Sequence, residues 1–204
     1  MLTIKVSEME TFCYSNLMIN AIIFDFFDVF RTDSYKAWLA ANNFERVGVF
    51  AEASILSDQG KISGDEFYRQ ISEAANRVVT PEEVDASAKL NTEMVSFARQ
   101  LKKIYRTSLL SNAPGDFVRK LFDEYEINDI FDDVFISGET GYIKPHAEAF
   151  QNALEVMGVQ ANETLFIDDN QLYIDSAEEL GIRSIVFTSV DQLKDDLQRM
   201  DIKF

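Results

Sequence analysis

Four charged residues lie next to apolar segments of the sequence, where a charged side chain is expected to be buried only if it has a chemical role. Asp25 directly follows the apolar run AIIF, and Asp168 and Asp169 directly follow TLFI. Burying a carboxylate is costly unless it is paired, hydrogen-bonded or bound to a metal ion. Lys144 lies in the loop SGETGYIKP between these two runs. Three carboxylates around one ammonium group could hold a hard divalent cation such as Mg²⁺ and neutralise a phosphoryl group.

The elements that must position these residues are short strands alternating with helices. The apolar runs predicted as strands are residues 20–24, 105–111, 132–137, 164–167 and 183–187. Amphipathic segments predicted as helices follow each of the later runs. This alternation predicts an α/β fold with a Rossmann-like, doubly wound parallel sheet.

In an open parallel sheet, ligands bind at the carboxyl ends of the strands, which share one edge. Asp25, Ser111, Asn112, Asp168 and Asp169 all follow predicted strands and are expected to meet there. Each of them alone is also typical of a helix cap or a turn. Their joint occurrence at successive strand ends favours a common site, in which Asp25 could attack phosphorus as a covalent nucleophile.

A helical block interrupts the alternation after the first strand. Residues 34–96 carry apolar residues at three- and four-residue spacings and contain no strand signal. We therefore predict a helical cap at 34–96 inserted into a core of 18–33 and 97–204. Residues 1–17 are predicted to be an N-terminal extension, because Met18 would also be a plausible start.

Composition excludes several classes of partner. The chain has 19 basic and 35 acidic residues, and a net charge of −16 disfavours nucleic acid and anionic membranes. It contains neither an apolar run long enough to span a membrane nor a secretory signal. A single cysteine, Cys13, permits no internal disulfide, which fits a cytoplasmic protein. The oligomeric state cannot be read from the sequence.

Four ordered motifs resemble those of the haloacid dehalogenase-like (HAD) hydrolase superfamily, in the branch with a small helical cap after the first motif. They are IIFDFFDV, TSLLSN, GYIKP and LFIDDN, and the resemblance covers about residues 19–189. The cap segment GKISGDEFYRQIS is also similar to a stretch of that family.

The resemblance implies a Mg²⁺-dependent phosphatase with an aspartyl-phosphate intermediate on Asp25. Mg²⁺ would be held by Asp25, Asp169 and the backbone carbonyl of Phe27, and Asp168 would act through the outer shell of the metal. These residues match the first and fourth motifs.

The same resemblance assigns the phosphate-binding residues. Ser111, Asn112 and the neighbouring backbone amides would hold the phosphate, and Lys144 would steady both nucleophile and phosphate. The substrate would be a small phosphorylated metabolite selected by the cap. Residues that could face it, or equally pack inside the cap, are Arg31, Trp38, Arg46 and Tyr68.

The chain departs from the family pattern next to the nucleophile. Phosphatases of the family usually carry an acid/base aspartate two positions after the nucleophile, where this chain has Phe27, and glycine at the next position, where it has Asp28. Tyr173 and His146 also replace commoner residues, and His146 is expected at a helix start. Two alternatives therefore stay open: a catalytically impaired member that binds a ligand or partner, and a 2-haloacid dehalogenase, whose branch carries an aromatic residue at position 27.

Overall fold

A five-stranded parallel sheet forms the centre of the protein. The computed structural model describes residues 18–204, so the predicted extension 1–17 and Cys13 lie outside the described residues. The strand order is β3-β2-β1-β4-β5, which confirms the predicted doubly wound α/β fold. The strands are β1 (Ala21–Phe24), β2 (Arg106–Ser111), β3 (Asp133–Ile136), β4 (Thr164–Asp168) and β5 (Arg183–Val186).

Strand β1 lies between β2 and β4, so its carboxyl end is at the middle of the sheet edge where a ligand would bind. Phe24 is in register with Leu109 on one side and with Ile167 on the other. The side chains of β1 alternate between the two faces of the sheet, with Ile22 and Phe24 in one apolar cluster and Ile23 in the other. Burial on both faces explains why this strand is continuously apolar.

Within residues 18–204, ten α-helices flank the sheet or form the helical cap after β1. They are α1 (Ser34–Ala41), α2 (Val49–Asp58), α3 (Gly64–Ala75), α4 (Pro81–Asp85), α5 (Thr92–Leu101), α6 (Gly115–Glu124), α7 (Ser137–Thr140), α8 (Ala147–Met157), α9 (Gln171–Glu179) and α10 (Val190–Arg199). The helix-start signals predicted at Ser63 and at Thr80 with Pro81 are both N-caps in the structure. The short helix α7 lies in the segment SGET, for which the sequence gives no helix signal.

Helices α1 to α4 pack around a small apolar core of their own. Its fully buried members are Trp38, Leu39, Ala53, Ile71, Val79 and Val84. Helix α5 does not share this core. Its buried residues Met94, Phe97 and Leu101 belong to the large cluster against the sheet. The helical unit that packs by itself therefore ends before α5, whereas the sequence places the cap boundary at residue 96. Helical periodicity alone does not reveal which surface a helix covers.

The turn after α2 fixes the cap against the core. The hydroxyl of Ser137, the first residue of α7, donates to the backbone carbonyl of Asp58 and accepts from the backbone N–H of Ala113 at 3.0 Å. Gly60 has a φ of +65°, and a Cβ atom there would lie 2.8 Å from the carbonyl oxygen of Gly138. Both the left-handed backbone and this close approach require glycine.

Within residues 18–204, every helix is too short or too polar to cross a bilayer.

Candidate active site

Asp25 begins the loop that follows β1 and lies almost fully buried. Only 6% of the residue is exposed. Its backbone N–H donates to the carbonyl of Ile167 at 2.9 Å, which extends the pairing of β1 with β4 by one residue. Its Oδ1 accepts a hydrogen bond from Nζ of Lys144 at 2.7 Å. The central strand thus delivers this carboxylate to the edge that the sequence predicted.

Lys144 is the buried cation of the site. Its Nζ contacts Asp25 and also Oδ2 of Asp168 at 2.6 Å, and it lies 4.9 Å from the ring centre of Tyr173. Burial alone would lower the pKa of Lys144, but the charges of Asp168 and Asp25 raise it overall. The lysine is therefore a fixed positive charge rather than a proton carrier.

Asp25 has an electrostatic environment that disfavours its charge. Burial is the main reason that its pKa is raised, and the nearby carboxylates of Asp168 and Asp169 raise it further. Lys144 offsets only part of this effect, because Asp168 shares the same ammonium group. A site with this excess of buried negative charge is stabilised by an additional cation.

Three carboxylates converge closely enough to share such a cation. Ligand oxygens of Asp25, Asp168 and Asp169 all lie within 4.8 Å of one another. Asp168 is fully buried, and its Oδ1 accepts from the backbone N–H of Asn170 at 2.8 Å. Asp169 is partly exposed, so one carboxylate of the group faces the open side. Oxygen donors in this arrangement fit a hard divalent ion such as Mg²⁺.

Ser111 presents a buried hydroxyl that has no hydrogen-bond partner. It ends β2 and is 1% exposed, and its Oγ is the one buried side-chain polar atom within residues 18–204 that lacks a partner. An unsatisfied buried hydroxyl costs about 1–3 kcal/mol. A bound anion would supply the missing acceptor, so this hydroxyl fits the predicted phosphate-binding role.

The side chain of Asn112 contacts the backbone of Lys144. Its Nδ2 donates to the carbonyl of Lys144 at 2.8 Å, and its Oδ1 accepts from the N–H of Lys144 at 2.9 Å. The second Nδ2 contact, at 3.4 Å, goes to the hydroxyl of Tyr173. Through these contacts, the side chain of Asn112 holds the backbone of Lys144 in place.

Phe27 and Asp28, two and three residues after Asp25, have different surroundings. Phe27 stacks on Phe117, with ring centres 6.4 Å apart. Asp28 has a φ of +58°, a conformation that aspartate tolerates better than most residues. Both of its carboxylate oxygens are occupied, one by the N–H of Asp33 at 2.9 Å and the other by Nζ of Lys36 at 2.6 Å.

Lys36 was not predicted from the sequence. Its Nζ lies between Asp28 and Asp169, 3.3 Å from Oδ2 of Asp169, and partly balances the acidic edge of the site. It occupies the first turns of α1, where an exposed lysine looks like any other polar helix residue. No sequence signal distinguishes it.

Two adjoining cavities open above these residues. The smaller, of about 330 Å³, is lined by Asp25, Asp169 and Tyr173, among others. The larger, of about 470 Å³, extends under the cap. The residues that line both cavities are Phe27, Asp33, Arg46, Asp58 and Asn112. This set, which we call the junction, connects the carboxylate site to the space below the cap.

Of the four residues that the sequence suggested could face the substrate, two line a cavity and two are buried elsewhere. Arg46 and Tyr68 line the larger cavity. Trp38 is buried in the core of the cap, and Arg31 is buried in an ion pair with Asp85. These last two residues therefore contribute to packing rather than to the cavity.

Position 146 behaves as predicted for a helix start. His146 is the N-cap residue of α8, without a hydrogen bond from its side chain to the cap. Lys144, two residues before it, is the residue of this loop that contacts Asp25 and Asp168.

The geometry agrees with what sequence comparison finds. A family model described as haloacid dehalogenase-like hydrolase matches residues 19–181. The chain belongs to the haloacid dehalogenase-like hydrolase family. This confirms the resemblance inferred from the four motifs, and it identifies the protein as a hydrolase.

Individual relatives of this HAD-like hydrolase cover most of its length. A D-ribitol-5-phosphate phosphatase from Bacteroides thetaiotaomicron is 28% identical over 192 residues, which cover 82% of this chain and 91% of the relative. A protein described as an HAD-like family hydrolase from Porphyromonas gingivalis has a similar structure, with a TM-score of 0.71 and 23% identity, covering 92% of this chain and 100% of the other.

A further similar structure was solved with bound ligands. It is an HAD family enzyme from Bacteroides thetaiotaomicron in complex with magnesium and inorganic phosphate. Its TM-score is 0.67 at 23% identity, and the match covers 86% of this chain and 98% of the other.

Proposed function

We propose that this HAD-like hydrolase is a Mg²⁺-dependent phosphatase that acts on a small phosphorylated metabolite through an aspartyl-phosphate intermediate. The observation that carries the proposal is the convergence of Asp25, Asp168 and Asp169 at the end of the central strands, with Lys144 buried between two of them. The unpartnered hydroxyl of Ser111 supports an anionic ligand at the same edge.

The relatives support the substrate class. One is a phosphatase of a phosphorylated polyol, and a structural neighbour binds magnesium and inorganic phosphate. Cavities of about 330 and 470 Å³ have the size of small-molecule sites. The phosphoryl group would occupy the smaller cavity beside Asp25, and the rest of the metabolite would occupy the larger cavity under the cap.

The proposed chemistry starts from Asp25. Its carboxylate attacks phosphorus, the bond to the leaving oxygen breaks, and a phosphoryl group remains on Asp25. Lys144 holds the nucleophile and balances charge, while Ser111 donates a hydrogen bond to a phosphoryl oxygen. Water then releases phosphate and restores the carboxylate.

The residues that would hold Mg²⁺ are Asp25, Asp169 and the backbone carbonyl of Phe27, with Asp168 in the outer shell. When bound, the ion supplies positive charge that stabilises the phosphoryl oxygens in the transition state. It also keeps Asp25 ionised, against the effect of burial on its pKa.

Hydrolysis of p-nitrophenyl phosphate tests the proposal. We expect release of p-nitrophenol by the wild type with Mg²⁺, little release with EDTA, and none above background by Asp25→Asn. Equal release by the wild type and Asp25→Asn, or no dependence on the metal, would contradict it. A panel of phosphorylated metabolites assayed with Mg²⁺ would then identify the substrate.

Phe27 favours a second candidate, a binding protein with little activity, because phenylalanine cannot move a proton. The variant Phe27→Asp with Asp28→Gly restores the usual family pattern. A large gain in phosphatase activity would favour this candidate, and an unchanged rate would weaken it. The dehalogenase alternative rests on the same aromatic residue and predicts halide release from a 2-haloacid in the presence of EDTA.

A further inference from the structure

We propose that Asp58, supplied by the cap, is the general acid and base of the reaction and takes the place of the missing aspartate at position 27. This inference rests on the proposed phosphatase function. It concerns one residue that lies outside the family motifs and that no sequence signal selects.

The first support is the position of Asp58 between the two cavities. A leaving-group oxygen must lie where the phosphoryl space meets the space for the rest of the substrate. The junction residues occupy this place, and Asp58 is one of them, together with Phe27. Asp58 therefore borders the same space that an acid at position 27 would have to reach.

The second support is that the neighbouring carboxylates are already engaged. Asp28 uses both oxygens, for the N–H of Asp33 and for Lys36. Asp33 is the N-cap of α1, where its Oδ1 accepts from the N–H of Lys36 at 3.0 Å, and its Oδ2 lies 3.7 Å from Arg46. By contrast, the carboxylate of Asp58 makes no hydrogen bond to any residue within 18–204.

The third support is that the backbone at Asp58 is fixed. Asp58 ends α2, and its carbonyl accepts from the hydroxyl of Ser137 in the core. The same hydroxyl binds the N–H of Ala113, two residues after Ser111. Ser137 thus connects the backbone of Asp58 to the loop that follows Ser111. These bonds hold Asp58 at a defined place relative to the site. General acid catalysis depends on such positioning.

The fourth support is the protonation of Asp58. Burial raises its pKa to about 7, and the charge of Asp33 adds to this effect, although Arg46 opposes it. A carboxyl group with this pKa exists in both forms near neutral pH, as an acid and base in turn requires.

Several charged and titratable groups surround Asp58 in the two cavities. The charges of Arg46 and Asp33 affect the pKa of Asp58, and the charge of Asp58 in turn raises the pKa of Tyr35. The others that line the two cavities are Asp25, Asp28, Lys36, Tyr68, Glu82, Asp85, Asp116, Lys120, Asp169 and Tyr173.

In the first step, the carboxylate of Asp25 forms a bond to phosphorus and the bond from phosphorus to the leaving oxygen breaks. The electron pair goes to that oxygen, which takes the proton of Asp58 and leaves as an alcohol. In the second step, ionised Asp58 takes a proton from water as the water oxygen bonds to phosphorus. The bond to Asp25 breaks, its electron pair returns to the carboxylate, and phosphate leaves with Asp58 protonated again.

Asp58→Asn tests the inference, with Glu52→Gln as the matched control. Glu52 is an exposed carboxylate on the same helix and lies outside both cavities. We expect Asp58→Asn to lower kcat/KM for an alkyl phosphate by about 10²–10⁴-fold. The first step with p-nitrophenyl phosphate should be affected far less, because p-nitrophenolate leaves without a proton. A burst of one p-nitrophenol per active site should therefore precede a slow steady state.

The pH profile supplies a readout that a purely structural role would not change. For the alkyl phosphate, kcat/KM of the wild type should fall as pH rises above about 7, and this fall should be absent in Asp58→Asn. Glu52→Gln should have the wild-type rate and the wild-type pH profile, and it should show no burst.

The variant Asp33→Ser tests whether Asp33, rather than Asp58, is the acid. Serine can still cap α1 but has no carboxyl group. Loss of the pH limb and a burst in Asp33→Ser, with neither in Asp58→Asn, would overturn the inference. So would an Asp58→Asn enzyme with the wild-type rate and profile. If the wild type itself hydrolyses no phosphate ester, the proposed function fails and this inference fails with it. If the wild type is active and only the Asp58→Asn result is negative, the proposed function stands.

Discussion

Oδ1 of Asp25 lies 2.7 Å from Nζ of Lys144, and both groups are buried at the end of the central strand. The lysine also contacts Asp168, so one ammonium group is shared by two carboxylates. Breaking such a buried arrangement is costly, because Asp25 and Asp168 would lose the ammonium group that both of them contact. This contact therefore links the stability of the core to the chemistry of the site.

Lys144→Met should abolish phosphatase activity and lower the free energy of unfolding by about 3–5 kcal/mol at neutral pH. The loss should be smaller at acidic pH, where Asp25, whose pKa is raised by burial, is protonated. Urea unfolding measures it. Lys103→Met is the control, since Lys103 is exposed, and it should stay within about 0.5 kcal/mol of the wild type. Equal stability of the two variants would contradict the role given to the buried ammonium.

Ser111→Ala should separate stability from binding. It removes a buried hydroxyl without a partner, so the free energy of unfolding should stay the same or rise. Affinity for inorganic phosphate should fall, as calorimetry with Mg²⁺ can measure. In the control Thr107→Val, a buried hydroxyl that donates to the carbonyl of Ile130 at 2.5 Å is lost, which should cost about 1–3 kcal/mol. Unchanged phosphate affinity in Ser111→Ala would contradict the proposed contact.

Asp58 should make stability depend on pH in a definite direction. Its pKa is raised to about 7 in the folded protein from 3.8 for an unperturbed aspartate, so folding retains a proton that the unfolded chain releases. This contribution is complete below pH 4 and is lost as pH rises toward about 7, by at most about 1.4 kcal/mol per pH unit. Asp58→Asn cannot lose it. The stability of Asp58→Asn relative to the wild type should therefore increase from pH 4 to 7, measured by denaturant titration, and a constant difference would contradict the shift.

Phe27→Asp should rescue Asp58→Asn. Both positions border the junction, so an acid introduced at residue 27 can serve the same leaving-group oxygen. We expect the steady-state rate of the double variant on p-nitrophenyl phosphate to exceed that of Asp58→Asn by at least about tenfold, the order of a partial acid/base effect. Loss of the contact between Phe27 and Phe117 should cost about 0.5–1.5 kcal/mol. A double variant no faster than Asp58→Asn would argue against a shared place for the acid.

The sequence predicts well where the residues at the strand ends lie, because the topology of a parallel sheet determines their position. Continuous apolar runs define strands buried on both faces, and parallel strands must end at one edge. Asp25, Ser111 and Asp168 are therefore brought together by the same pattern that predicts the sheet. The order of the strands adds that Asp25 lies at the centre.

The sequence does not predict contacts that depend on how surfaces meet. The apolar spacing of α5 is helical, but only packing shows that it covers the sheet. The hydrogen bonds between the side chain of Asn112 and the backbone of Lys144 also have no signal in the sequence. Asp58 ends a helix in the segment SILSDQG, where a polar residue is unremarkable, and it gains its environment from the closure of the cap on the core.

Trapping the covalent intermediate tests the central claim most directly. The wild type is mixed with Mg²⁺ and p-nitrophenyl phosphate, quenched in acid, digested and analysed by mass spectrometry. We predict one phosphoryl group on the peptide containing Asp25, no label in Asp25→Asn, and more label in Asp58→Asn than in the wild type. Phosphate release by the wild type without any label on Asp25, or release by Asp25→Asn at the wild-type rate, would contradict nucleophilic catalysis by Asp25.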